Sequence, residues 1–344
     1  MSNNSFIFDN QWQQLLGQGL ARLPHALLLT GPPGVGKRGF AEKLAALLLC
    51  ESPLPSRQAC ANCQACRWLE ADNHPDFRLI EPEGDDEEEG AEKLADNARK
   101  KANRTIKVDQ IRDLESFVFV GSHRAGNRVV LISEADAMNA VAANAVLKIL
   151  EEPPSTVYFI LVSSRTKTLL PTIRSRCRQL PFGRPQRDAA LAWLAGNGLS
   201  GKAARYLDLA GGSPRRVVEW SEQKQLPQID GLIDSLLAPA SDPIQLAARW
   251  DGLLKGDGGF RMEQLVDGVQ RWIHDLALER AGVPVRYHTG WGRPKGIERL
   301  DPHALGAAWR EIGDMRRSAR HPLNPLLFLE SLATHFLRAV RPAP

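Results

Sequence analysis

A short apolar run at 26–29 passes directly into a glycine-rich turn, and helical spacing resumes in Phe40, Leu44, Leu47 and Leu48. The turn reads Gly31, Pro32, Pro33, Gly34, Val35, Gly36 and Lys37. A strand entering such a turn and a helix leaving it is the arrangement in which backbone N–H groups cradle phosphate oxygens while the lysine neutralises their charge. A turn that merely happens to be rich in glycine would not need strand and helix on the required sides. Further strands are expected at 77–80, 129–132, 157–162 and 179–182, the one at 157–162 continuously apolar, and they are separated by helical patterns, among them 106–118 and 137–151. Strands apolar throughout and alternating with helices predict a five-stranded parallel sheet covered on both faces, hence an α/β domain. A further helix is expected at 10–23, capped by Asp9 or Asn10.

The residue after the turn breaks the pattern. Phosphate-loop enzymes place Ser or Thr there to hold magnesium, whereas this chain has Arg38, a cation that repels the metal. The strand at 129–132 should end in an Asp that helps hold magnesium, followed by an acid that orients the attacking water; the residues are Ser133 and Glu134. Glu134 alone has no metal to work beside. Losses at both ends of one metal site predict no hydrolysis in cis and no functional magnesium site. Lys37 and the backbone donors persist, so a vestigial or weak grip on ATP is the most the loop is expected to keep.

Four of the five cysteines crowd together: Cys50, Cys60, Cys63 and Cys66, with gaps of nine, two and two residues. Two-residue gaps let neighbouring thiolates share one ion, and four sulfurs with no open position describe a closed, structural zinc site. Cys177 lies far off in sequence and reads as a small buried hydrophobe.

Two polar residues sit where a γ-phosphate could be sensed: Ser164 at a strand end, and Arg215 beside a Ser213 helix cap. The plainer roles, strand-end hydroxyl and helix-start arginine, fit each as well. Arg176, in the triplet Ser175-Arg176-Cys177, reads alone as an ordinary surface arginine. At the edge of a nucleotide-binding domain, an arginine can instead complete a neighbour's active site, an effect worth ~10³–10⁵ in rate.

Composition narrows the remaining classes. With 344 residues, 43% apolar and 24% charged, the chain is long enough for two or three globular domains. Its longest apolar run, 44–50, is seven residues against the ~20 a bilayer crossing needs, and no secretory pattern precedes Asp9, so a cytoplasmic protein without membrane contact is expected. The net charge of +4 does not announce a nucleic-acid binder. Within 81–104, eight acids between 81 and 92 are followed by Arg99, Lys100, Lys101 and Arg104, the composition of a solvated insertion. Past Pro185 no strand pattern survives, and the chain is helical, with a long helix at 262–281 and an irregular stretch at 282–300.

Taken in order, GPPGVGK, the four-cysteine knuckle at 50–66, HPDFRLIEP at 74–82, IKVDQIRDL at 106–114, NAVLKILEEPP at 144–154 and RSRC at 174–177 closely resemble the bacterial clamp-loader family of AAA+ proteins. The resemblance is specific over about the first 225 residues and rests beyond them on helical character and NPLLFLESL at 324–332. It implies an AAA+ domain at 1–184, a small helical lid at 185–226 and an all-α collar for oligomerisation at 227–344. Arg38 and Ser133 depart from the family's ATPase subunits, gamma and tau, and match its non-hydrolysing stator. The resemblance further implies a hetero-pentameric ring with gamma or tau and with delta, part of the replicative DNA polymerase holoenzyme, which places the sliding clamp on primed DNA. In that ring Arg176 is the finger offered to ATP held by an adjacent subunit. Two other functions compete: a motor ATPase with an unusual metal site, and a zinc-dependent nucleic-acid binder, for which only Arg57, Arg67 and Trp68 lie near the knuckle.

Overall fold

The strand β1 (Ala26–Thr30) lies between β4 (Val157–Ser163) and β5 (Arg178–Pro181) in a parallel sheet of order β2-β3-β4-β1-β5. The remaining strands are β2 (Phe77–Ile80) and β3 (Arg128–Ile132). The computed structural model describes residues 8–83, 105–119, 126–294, 296–319 and 324–341. The charged insertion beyond residue 83 and most of the loop expected at 121–127 lie outside them.

Alternate residues of the strands face opposite sides. Leu28, Val130, Phe159 and Leu161 pack with Ile111, Leu114 and Val118 of α4 (Val108–Phe119) and with Val146 and Ile149 of α5 (Ala140–Glu151). Ile173 of α6 (Pro171–Arg176) joins the same core. Leu27, Leu29, Leu131 and Ile160 pack instead on Phe40 and Leu44 of α2 (Lys37–Leu49) and on Leu15 and Leu16 of α1 (Asp9–Leu16). This double coverage is why the inner strands β1, β3 and β4 carry continuous apolar runs, whereas the edge strands β2 and β5 leave Arg78 and Gln179 exposed. The register Thr30↔Ser163 and Ile80↔Ile132 lines up the strand ends, so the residues that follow meet along one rim. That rim, at the carboxyl ends of parallel strands, is where open α/β sheets hold ligands.

Two helix boundaries differ from the sequence expectation. The helix expected at 10–23 stops at Leu16; Gly19 takes φ 90°, which a continuing helix does not permit, and a 3₁₀ turn follows at Leu20–Arg22. Asp9 is not its cap but its first residue, preceded by Phe8 with no side-chain cap. The helix expected from 137 begins at Ala140 instead, because the Asn139 side chain accepts from the Ala142 N–H at 2.8 Å and caps it there.

The described residues to Trp193 form one compact unit and those from Leu194 a second, with α7 (Arg187–Gly196) carrying the chain between them. Of the second unit's helices, α8 (Ala203–Leu209) and α9 (Pro214–Glu222) come first. Then follow α10 (Leu226–Leu237), α11 (Pro243–Leu254), α12 (Met262–Arg280), α13 (Pro302–Ser318) and α14 (Pro325–Val340). Three of them start alike: Asp242, Asp301 and Asn324 accept first-turn N–H bonds, and each precedes a proline at the first helical position. The irregular stretch after α12 is fixed by one buried carboxylate. Asp275 accepts from the N–H groups of Arg286, Tyr287 and His288 at 3.1, 2.7 and 2.8 Å, and lies 3.0 Å from His288 Nδ1. Burial disfavours its ionisation, but these hydrogen bonds override that and hold the carboxyl well below its usual range. No helix among the described residues is long and apolar enough to cross a membrane.

Leu28 is fully buried at the centre of the sheet. Leu28→Ala is expected to destabilise the first unit by about 2–5 kcal/mol, and Val141→Ala, at an exposed helix position, by less than about 0.5 kcal/mol. Hydrogen exchange at the β1 and β4 amides measures both.

Candidate functional site

The glycine-rich turn leaves β1 in a conformation only glycine permits. Gly31 has φ 149°, and a Cβ there would lie 2.1 Å from the Phe182 carbonyl oxygen; Gly36 has φ 106° as the turn enters α2. Lys37 is therefore the first helical residue, and its side chain folds back over the loop. Its Nζ donates to Gly31 O at 2.8 Å, Pro32 O at 2.6 Å and Ser164 Oγ at 3.1 Å. All three acceptors are neutral. Only 4% of Lys37 is exposed, and burial pushes its pKa down to about 8 despite the nearby charge of Asp136. Asp136 is spent elsewhere: it accepts from Ser164 N at 2.9 Å and Arg165 Nε at 3.0 Å. Burial works against that carboxylate as well, and the hydrogen bonds still bring its pKa down.

Arg38 stands one residue further into α2. Its Nε donates to Glu42 Oε1 at 2.8 Å and its Nη1 to Glu81 Oε1 at 2.5 Å. Ser133 Oγ donates to the same Glu81 oxygen at 3.3 Å. The two sequence departures, at 38 and 133, thus converge on one carboxylate at the end of β2. Burial acts to lower the Arg38 pKa, and its bonds to Glu42 and Glu81 raise it on balance. A magnesium ion does not fit this donor set: position 38 offers no oxygen, Ser133 replaces a carboxylate, and the Glu81 carboxylate already pairs with a guanidinium through Oε1. Glu134 is exposed at the turn after β3.

Arg176 ends α6, next to β5, the outer strand on that side of the sheet. Its Nη2 meets Glu151 Oε1 at 2.5 Å and its Nη1 donates to Thr172 O at 3.2 Å, with 35% of the side chain exposed. Arg215 belongs to the second unit, 3.6 Å from Glu219 and 3.8 Å from Glu222, and Ser213 makes no side-chain capping bond.

The cysteines converge as their spacing predicts. Cys50 follows the last residue of α2, Cys63 caps α3 (Gln64–Glu70), and the four Sγ atoms all lie within 4.8 Å of one another. The pairs Cys50–Cys63 and Cys60–Cys66 are 3.9 and 4.0 Å apart, close to the ~3.8 Å edge of a tetrahedron of sulfurs around zinc. Backbone N–H groups of Cys60, Asn62, Cys63 and Cys66 point at the sulfurs at 3.3–3.5 Å. Those of Asn62 and Cys63 lower the Cys60 thiol to about 6, while burial raises the thiols of Cys50 and Cys66, whose deprotonation a bound cation would have to favour. Among the described residues this is the one cluster of three or more such ligands. Cys177 is buried, and burial raises its pKa to about 11, as befits an inert core thiol.

Sequence patterns did not single out Glu81, Asp136 or Glu151. Glu81 looked like the first acid of the insertion; its place directly after β2, in register with Ser133, was the available signal.

A family model described as DNA polymerase III, delta subunit, matches residues 8–186. DNA polymerase III subunit delta′ of Pseudomonas aeruginosa is 39% identical over 252 residues, 70% of this chain and 71% of that protein. The subunit delta′ of Escherichia coli is 32% identical over 171 residues, 50% of this chain and 46% of that protein, so the match to it spans about half its length. Among solved structures, a DNA polymerase III gamma subunit-related protein from Thermotoga maritima aligns over 94% of this chain and 97% of its own, with 16% identity and a TM-score of 0.46.

A lysine whose pKa is lower folded than unfolded loses its proton first in the folded state, so stability rises with pH between about 8 and the unfolded value of 10.5. The expected gain is on the order of 1–3 kcal/mol and is absent in Lys37→Met. Denaturant titrations of both proteins across that interval give the difference.

Proposed function

The chain belongs to the DNA polymerase III delta′ family, and from that membership we propose that it is a clamp-loader subunit that does not hydrolyse ATP itself but lends Arg176 to an ATPase beside it. The observation that carries the first half is the Arg38–Glu81–Ser133 contact, which puts a guanidinium where a hydrolytic site needs a metal. A motor ATPase with an unusual metal site would need oxygen ligands at that place, so this geometry disfavours it.

The second half rests on Arg176. A short helix anchored in the core by Ile173 presents it at the sheet's outer strand, and a guanidinium there can stabilise charge on a transferring phosphoryl group. Glu151 neutralises it meanwhile. A triphosphate carries more charge than one half-exposed carboxylate, and an exposed ion pair is weak, so the exchange of partners costs little. The neighbours in this proposal are gamma or tau, with delta, in a five-membered ring that places the sliding clamp on primed DNA. Within the chain, 1–184 is the nucleotide-binding-like domain, 185–226 the lid and 227–344 the collar. The knuckle holds a structural zinc through Cys50, Cys60, Cys63 and Cys66, whose sulfurs leave no open position for chemistry.

In a reconstituted loader, Arg176→Ala should leave the subunit folded and reduce ATP turnover by at least about tenfold, with Arg176→Lys unable to restore it because an ammonium lacks the planar fork. Turnover equal to that of the unsubstituted complex would reject the trans role.

Cys63→Ser should remove bound zinc and lower thermal stability together, since three sulfurs cannot close the site. Metal analysis of the purified protein checks the premise, and a metal-free unsubstituted chain would remove it.

A further inference from the structure

The ion pair between Arg38 and Glu81 keeps the logic of a metal site while exchanging both partners. In a hydrolytic loop, a carboxylate after one strand and a hydroxyl on the loop helix hold a divalent cation beside the phosphates. Here the carboxylate comes from the end of β2, next to Ser133 at the end of β3, through the register Ile80↔Ile132. The cation is covalently attached, as the side chain of the residue after Lys37. The charge of Glu81 is thus already paired with a cation of the chain itself.

Arg38 is also available. A guanidinium has five N–H groups, and the partners of Arg38 among the described residues, Glu42 and Glu81, take two of them. Half of the side chain is exposed. The unengaged Nη2 edge can pair with phosphate oxygens in the forked geometry that guanidinium and phosphate share, while Nη1 stays on Glu81.

Lys37 supplies the second observation. It is almost wholly buried, yet its ammonium touches only the neutral oxygens of Gly31, Pro32 and Ser164. A buried cation without an anionic partner is costly, and an anion in the cradle relieves that cost. Its depressed pKa is the same imbalance seen through its proton.

We propose that this loop binds the diphosphate group of a nucleotide without any divalent cation, with Arg38, steadied by Glu81, in the cation's place. The proposal rests on the phosphate-loop reading of residues 31–37. It also accounts for binding without hydrolysis, because a guanidinium compensates charge but neither ligates nor activates a water as a metal does.

The test is calorimetric titration of the full chain with ADP in excess EDTA, repeated with magnesium in place of the chelator. Equal affinity within about twofold is expected, and inorganic pyrophosphate should compete with ADP in both. Tightening by magnesium of about tenfold or more overturns the proposal, as does the absence of ADP binding in both buffers. Pyrophosphate that fails to compete overturns it too, since the base and ribose would then carry recognition. Arg38→Thr should weaken ADP in EDTA by about tenfold or more and regain part of the loss with magnesium; unchanged affinity in EDTA counts against the proposal. Should that variant misfold, the magnesium comparison on the unsubstituted chain decides alone. Failure here leaves the trans role of Arg176 standing, because turnover by the assembled loader does not depend on ADP in this loop.

Discussion

The parallel pairing of β1 with β4 and β5 is the constraint from which the site follows. A strand buried on both faces must satisfy its backbone laterally, and the register that does so brings Thr30 beside Ser163. The next residues, Gly31 and Ser164, then leave the sheet side by side, which is why one ammonium can bridge them. The pairing of β2 with β3 does the same for Glu81 and Ser133. Residues more than 100 positions apart become neighbours through strand register, without any loop folding specially to reach them.

Three cations on this unit differ in how their charge is answered. Lys37 is buried among neutral oxygens, Arg38 is half-exposed between two carboxylates, and Arg176 rests on one carboxylate at the surface. Ion pairs at the surface are soft, so Arg176 is the easiest to redirect to another molecule. Lys37 is the one whose setting improves most when an anion arrives. Arg38 is intermediate: its carboxylates hold it in place without using its whole donor set. A single chain can therefore retain a phosphate cradle and export an arginine without the two roles competing for one residue.

Much of this was legible in the sequence because it depends on local pattern. The inner strands announced themselves as apolar runs, the cysteine spacing announced a shared centre, and Arg38 and Ser133 stood out as departures from a metal-holding pattern. What was not legible depends on register. Glu81 is an acid among many until β2 and β3 are paired, and Asp136 is a turn residue until the end of β4 reaches its carboxylate. The early end of α1 and the late start of α5 were missed for a different reason. Apolar spacing continues through both boundaries, whereas Gly19 and the Asn139 cap decide them by backbone geometry.

The cysteine cluster bears on the same helix as the cradle. α2 begins at Lys37 and runs into Cys50, so the phosphate loop and the knuckle are its two ends. Its middle is held by Phe40, Leu44 and Leu48 against the sheet. A metal closing Cys50 to Cys63, the cap of α3, would fix the far end, and the Arg38 pairs to Glu42 and Glu81 fix the near one. A hydrolytic subunit needs its loop helix to respond when the terminal phosphate leaves, since that response is the stroke. Ties at both ends of α2 would hinder that response, and the cysteine cluster and the Arg38 pairs act on this one helix from its two ends.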